Sequence, residues 1–268
     1  MYEKKVIMKL SIITINFNNF SGLQKTIDSV ISQICKDFEW VIIDGGSTDG
    51  SCELIEKNAD NVSCWISEPD RGIYNAMNKG IRLSHGEYLL FLNSGDYLYD
   101  CNVIQNALPL LEGYDFVVGK EKRNDLNCIW DLPLSTTEEI FRVVNFYFIP
   151  HQSTFIARKV FNEYGLYRED IQLSSDWYMY YKALMLGNAT VCRIPYMVAV
   201  FAGNGVTCIH KDLMLAERPK IWSEIPRIKY VVDFYFNNYD IIKALKANRF
   251  LFFIFRVYYY MYRHLSKH

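Results

Sequence analysis

The chain has 268 residues, half of them hydrophobic, with 29 Lys and Arg against 30 Asp and Glu. That length and apolar content suit one large α/β domain with a buried core, alone or with an appendage. The net charge of −1 argues against a nucleic-acid partner for the whole molecule. Seven cysteines, at 35, 52, 64, 101, 128, 192 and 208, are odd in number and form no CxxC pair. A zinc cluster or disulfide framework is therefore not expected; reduced thiols in a cytosolic setting are.

Lys4, Lys5 and Lys9 precede an apolar run over 10–15 that stops at the polar Asn16. The run is too short for a signal-peptide core and predicts a first strand. Leu23, Ile27, Val30 and Ile31 fall at helical spacing and predict a helix over 23–33 with Ser21 as N-cap. The pattern repeats: a strand over 40–43, a helix over 49–58 capped by Ser47 or Thr48, a strand over 62–66, a helix over 73–83 and a strand over 88–92. The second half is less regular, with strands expected over 116–119 and 153–157 and helices over 138–144 and 176–185. No run of 18 uncharged apolar residues occurs, so no transmembrane helix is expected.

Strand–helix–strand repetition with continuous apolar strands predicts an α/β fold with a mostly parallel central sheet and helices on both faces. In such sheets ligands sit beyond the carboxyl ends of the strands. The polar groups at 16–19, 44–49, 67–71 and 93–96 follow four successive strands and are expected on one edge. GxGxxG and GxxxxGK[ST] are both absent, which disfavours a dinucleotide-dependent dehydrogenase and a P-loop ATPase. Asp44, at a strand end before Gly45 and Gly46, is placed to accept hydrogen bonds from a base or ribose, and the same residues also suit a plain capped turn. Asp70 and Arg71 precede a helix whose first turn holds Asn75, a setting for a diphosphate or ribose as well as for a surface ion pair. Asp96, after Asn93-Ser94-Gly95, is an oxygen ligand suited to a hard cation, in residues that also suit a tight turn.

The order of Ser11-Ile12-Ile13-Thr14-Ile15-Asn16-Phe17-Asn18, Ile42-Ile43-Asp44-Gly45-Gly46-Ser47-Thr48-Asp49-Gly50, the 68–80 segment and Tyr88-Leu89-Leu90-Phe91-Leu92-Asn93-Ser94-Gly95-Asp96 resembles the family 2 inverting glycosyltransferases with the GT-A fold. The resemblance is dense over 8–100 and looser to about 210. It implies a GT-A catalytic domain over 1–215, with a nucleotide-binding half to about 100 and an acceptor half beyond it. It implies that Asp44 and the backbone from Thr14 to Asn16 line a nucleobase pocket, with Asp70, Arg71 and Asn75 near the nucleotide. Asn93 to Asp96 then stand on the family's DxD-type metal motif. Asn93 replaces the usual Asp and Gly95 a frequent second acid, leaving Asp96 to bind Mn²⁺ or Mg²⁺ and Asn93 to reach the ribose or a water. The general base falls on Asp176, also a helix N-cap candidate, with Glu169 and Asp170 as alternates. His151 is expected near the acceptor and His210 as a late metal ligand, each against a purely structural role.

The implied reaction is a single inverting transfer of a hexosyl or N-acetylhexosaminyl group. Its donor is a nucleotide sugar, UDP expected, and its acceptor a lipid-linked or growing bacterial glycan. A non-catalytic nucleotide-sugar-binding protein and a sugar-phosphate nucleotidyltransferase are the competing classes. Composition changes in the tail, 216–268: from Pro226 onward there are eight Lys and Arg against two acids, interleaved with Tyr and Phe. Arg249, Arg256 and Arg263 recur every seven residues and so share one helical face. A helix lying on an anionic membrane is favoured over one packing on the catalytic domain or in a homodimer. The expected location is cytoplasmic, peripheral on the inner face of the plasma membrane.

Overall fold

The first strand, β1 (Leu10–Asn16), is buried along its whole length and pairs in parallel with β2 (Glu39–Asp44) on one side and β4 (Tyr88–Phe91) on the other. β2 continues the parallel run to β3 (Cys64–Ser67). These strands belong to the computed structural model of the chain, which describes residues 8–203, 205 and 210–224. The chain divides into two units between Glu217 and Arg218. The basic, aromatic tail from 226 lies outside the described residues.

Continuous apolar sequence in β1, β2 and β4 follows from their position: a parallel strand covered on both faces has no solvent side. The order β3-β2-β1-β4 reverses direction at β1, so the crevice beyond the strand ends opens between β1 and β4. The sheet then becomes mixed. β8 (Thr154–Ala157) runs antiparallel between β4 and β6 (Phe116–Arg123), and β9 (Val191–Phe201) lies parallel to β6. β5 (Tyr97–Leu98) closes the far edge against β9, and β7 (Cys128–Trp130) pairs with β6. The parallel expectation therefore describes the first four strands, and antiparallel pairs build most of the second half. The periodicity reading passed over β5, β7 and β9.

Helix α1 (Phe20–Ile31) starts earlier than its apolar spacing suggests, and its N-cap is Asn19, not Ser21. Asn19 Oδ1 accepts from the Gly22 N–H at 3.2 Å, and its amide donates to the Ser94 carbonyl at 3.0 Å across the crevice. α2 (Ser51–Lys57) is entered through Gly50 at φ +94°; Asp49, not Ser47 or Thr48, accepts from the Ser51 N–H. α3 (Ile73–Leu83) packs on β1 and β2. Next come α4 (Val103–Ala107), α5 (Thr137–Phe146), α6 (Arg158–Tyr164) and α7 (Ser175–Tyr181). The N-cap of α7 is Ser174, which leaves Asp176 in the first turn with its carboxylate free for other partners. The last described helix is α8 (Lys211–Ser223). Among the described residues no helix is long and apolar enough to cross a membrane.

Close packing of α3 on the sheet depends on Gly80, where an added Cβ would stand 2.4 Å from Ile13 Cγ2. Gly80→Val is expected to destabilise the chain by about 2 kcal/mol, the scale of an overpacked core. A urea midpoint unchanged from the wild type would show that the helix is not held this tightly.

Candidate functional site

Three strands end on one row. Asn16 is the register partner of Asp44, and Asp44 that of Ser67. Asp44 is fully buried and accepts five hydrogen bonds. Asn16 Nδ2 and Ser47 Oγ reach Oδ1 at 2.8 and 2.6 Å; the N–H groups of Gly46 and Ser47 and the hydroxyl of Ser67 reach Oδ2 at 3.1, 2.8 and 2.7 Å. Burial alone would raise this carboxyl, but the five donors outweigh it and hold it below the usual carboxylate range. Asn16 keeps a buried Oδ1 with no protein partner. The Thr14 hydroxyl turns inward and accepts from the Trp40 indole at 3.0 Å, so this residue meets the crevice only through its backbone.

The 68–80 segment is held by a carboxylate from elsewhere in the chain. Glu169 accepts from Arg71 Nη2 at 2.6 Å, Asn75 Nδ2 at 2.9 Å and Asn78 Nδ2 at 3.1 Å. The Arg71 contact, followed by the Asn78 and Asn75 amides, pushes Glu169 down to about 2. Asn75 Oδ1 accepts from the Arg71 N–H, and Asp70 Oδ1 from the Gly72 N–H, which shapes the entry to α3. Beside them opens a cavity of about 580 Å³ lined by Arg71, Tyr74, Glu169, Gln172 and His210. His210 is exposed in that wall, and no described contact joins it to Asp96.

Beyond β4 the Asn93 carbonyl accepts from the Asp96 N–H at 3.0 Å, and Gly95 between them has φ +106°. This is the pattern of a type II turn, whose third position demands a left-handed backbone. Thr26 of α1 secures it, accepting from the Gly95 N–H at 3.0 Å and donating to the Asp96 carbonyl at 2.7 Å. Asp96 Oδ1 accepts from the Ala202 N–H at 3.0 Å. Burial dominates its environment and raises it to about 6.

Asp176 lies across the crevice, its side chain 15% exposed. Its Oδ1 accepts from the Tyr74 hydroxyl and the Trp177 N–H, each at 2.8 Å, and its Oδ2 faces His151 Nδ1 at 3.2 Å. Burial would raise this carboxyl; the His151 contact, then Tyr74 and the Trp177 N–H, bring it below the usual carboxylate range. His151 Nε2 in turn lies 3.1 Å from Asn93 Nδ2. Asn93, His151 and Asp176 are thus brought together, as are Asn16 with Asp44 and Arg71 with Asn75. Both His151 ring nitrogens are engaged within the protein.

Tyr74, Asn78 and Thr26 complete these clusters without having been singled out from sequence, and Asn19 was marked only as part of the polar group 16–19. Tyr74 sits one residue before Asn75 on a helix whose spacing marked it only as a helical position. Among the described residues no group of three His, Cys, Asp or Glu side chains clusters as a metal site would.

Comparison with known proteins gives a match to the glycosyl transferase family 2 model over residues 11–165. The chain is 29% identical over 214 residues to the PGL/p-HBAD biosynthesis glycosyltransferase of Mycobacterium bovis BCG, covering 76% of this chain and 82% of that protein. It is 31% identical over 191 residues to an uncharacterised glycosyltransferase of Mycobacterium tuberculosis, covering 69% and 70%. Among solved structures, S. aureus TarS 1–349 in complex with UDP-GlcNAc aligns with a TM-score of 0.62 at 18% identity, covering 72% of this chain and 58% of that one. The mannosyltransferase PcManGT of Pyrobaculum calidifontis, in complex with GDP-Man and Mn²⁺, aligns at 0.56 and 16%, covering 74% and 58%. The chain spans under two thirds of these two structures, and its likeness to them is one of fold.

Asp44→Ala strands donors from three strand ends in the interior. An expected loss of about 2 kcal/mol or more follows from leaving buried donors unpaired. Equilibrium unfolding measures it, and wild-type stability would mean that the strand ends hold without the carboxylate.

Proposed function

Because the chain belongs to glycosyl transferase family 2, we propose that it moves a sugar, with inversion, from a nucleotide-diphosphate donor to a hydroxyl of a lipid-linked or growing glycan. One observation carries this reading. The polar ends of β1, β2 and β4 border one crevice, and Asp176 reaches the β4 side of it through His151 and Asn93. The nucleobase is assigned to the pocket of Thr14, Asn16 and Asp44. Since protein donors already fill Asp44, a base there replaces one of them or uses the unpartnered Asn16 Oδ1. Asp70, Arg71 and Asn75 are assigned to the ribose and diphosphate side. Asn93, whose Oδ1 is buried without a protein partner, is assigned to a ribose hydroxyl.

Asp176 is the base in this reading. Glu169 is a poor alternate, with both oxygens bound and its affinity for a proton low. Asp170 is paired with Arg168. Asp176 Oδ2 has one protein partner and so keeps a lone pair for an incoming hydroxyl. The acceptor O–H proton passes to Oδ2 as the oxygen bonds to the anomeric carbon. The bond from that carbon to the diphosphate oxygen breaks, and its electron pair leaves with the nucleoside diphosphate.

Asp96 is a fitting ligand for Mn²⁺ or Mg²⁺: its one protein partner is the Ala202 N–H on Oδ1, and one carboxylate with substrate phosphates is a common set for such ions. The ion, when bound, neutralises charge on the departing diphosphate. His210, exposed in the cavity wall, is the second ligand proposed for that ion. UDP is the first nucleotide to test and a hexose or N-acetylhexosamine the first sugar, with UDP-GlcNAc supported by the TarS likeness. A single addition at the inner face of the membrane is the setting proposed, with the tail as the contact.

A thermal-shift panel of UDP- and GDP-sugars with and without Mn²⁺, followed by hydrolysis and transfer assays, tests the reading. One donor is expected to stabilise the chain, with less Mn²⁺-dependent gain in Asp96→Asn. Asp176→Asn is expected to lower turnover by about 10²–10⁴-fold while leaving that shift in place. No stabilising donor would remove the function, binding without turnover would leave a donor-binding protein, and an unimpaired Asp176→Asn would remove the base. For the tail, the full chain is expected to sediment with vesicles containing anionic lipid and not with neutral phosphatidylcholine; equal binding to both would remove the electrostatic contact.

A further inference from the structure

The mechanism above leaves His151 without a task, yet it is the side chain that touches both halves of the site. It opens the short turn before β8, its side chain 19% exposed, with Nδ1 on Asp176 Oδ2 at 3.2 Å and Nε2 on Asn93 Nδ2 at 3.1 Å. We propose that His151 is the positioning residue of the transfer, holding the Asp176 carboxylate through Nδ1–H while the Asn93 amide holds the ring at Nε2. The inference rests on the reading of Asp176 as the base.

The geometry selects one tautomer. With the Asn93 NH₂ turned toward the ring, as it stands in the structure, Nε2 carries the lone pair and the neutral ring its hydrogen on Nδ1, facing the carboxylate. The opposite tautomer would set the Nδ1 lone pair against Asp176 Oδ2 and lose that contact. Asn93 decides which form is held. Its amide can present either NH₂ or Oδ1 to the ring, and Oδ1 is the atom left buried without a protein partner. A donor hydroxyl on Oδ1 reinforces the orientation that already gives NH₂ to His151. Occupancy of the donor side is thereby passed, over two hydrogen bonds, to the oxygen that takes the acceptor's proton.

His151 also acts on the charge of the base. The groups facing Asp176 are His151 from the turn before β8, Tyr74 from α3, Tyr167 from the loop after α6 and Tyr180 from α7. Of these, His151 and Tyr74 favour the ionised carboxylate, and His151 does so most. Asp176 must be ionised to act, so activity is present above its folded pKa and lost as pH falls through it. Removing His151 moves that loss to higher pH.

Two measurements test the proposal. The first needs no substrate: ¹⁵N-resolved NMR of the histidine rings, with His151 assigned by its absence in His151→Asn. The neutral ring is expected as the Nδ1–H tautomer in the wild type, and that preference is expected to be lost in Asp176→Ala. An Nε2–H ring in the wild type overturns the proposal, whatever the protein's activity. The second is kinetic, with the donor found by the panel. His151→Ala is expected to lower kcat by about 10–100-fold, the scale of an outer partner that orients a reacting group. The donor KM should stay within about threefold, with the acid limb of the kcat profile displaced upward. His151→Asn, which keeps an N–H near the Nδ1 position, should recover activity over His151→Gln, which does not. If the alanine variant fails to fold, the Asn and Gln pair decides the matter. Equal activity of Asn and Gln variants, or a wild-type pH profile in His151→Ala, overturns the positioning role. An unimpaired Asp176→Asn would instead overturn the choice of base.

Discussion

A carboxylate buried at the end of a strand is costly unless donors surround it, and Asp44 has five. Those donors come from β1, from the turn after β2 and from the end of β3. Satisfying one charge therefore sets three strand ends at one height, on the row Asn16, Asp44 and Ser67. The crevice owes its floor to that row. Without it the neighbouring polar loops would have no common edge from which to face a ligand.

The carboxylates around this edge are sorted by the number of donors each meets. Asp44 and Asp176 lie low because several donors outweigh burial. Glu169, partly exposed and held by a guanidinium and two amides, reaches about 2. Asp96 has one N–H to offset burial and rises to about 6; Glu121, fully buried with both oxygens unpartnered and Asp96 nearby, rises to about 8. One sheet edge thus holds acids of quite different proton affinity through desolvation, hydrogen bonding and neighbouring charges. That range suits a site in which one acid must gain a proton and another must stay charged.

Much of this was legible in the sequence where local chemistry and fold agree. Apolar runs named β1, β2 and β4, and the polar residues after them do meet at one edge of the sheet. The cap assignments failed at Ser21, Ser47, Thr48 and Asp176, because capping is decided by where the chain turns and several nearby side chains offered the same oxygen. Asn19 prevailed since its amide also reaches the Ser94 carbonyl. The second half resisted periodicity because β8, β6 and β9 pair over long separations and β9 carries Arg193, Pro195 and Tyr196 among its apolar residues. Tyr74, and the hold of Glu169 on the 68–80 segment, were hidden for a different reason. Their partners lie about a hundred residues away, and no spacing rule connects Tyr74 to Asp176.

The turn at Asn93–Asp96 limits which side chains can stand between those two residues. With φ +106° at Gly95, the backbone decides what may stand there before ligand chemistry is consulted. An L-residue placed there is strained by about 1–2 kcal/mol, and Thr26 has already committed its hydroxyl to both sides of the turn. A second acid at Gly95 would therefore meet backbone strain before it met any ligand, and a further carboxylate for this end of the sheet sits with less strain on a neighbouring strand end.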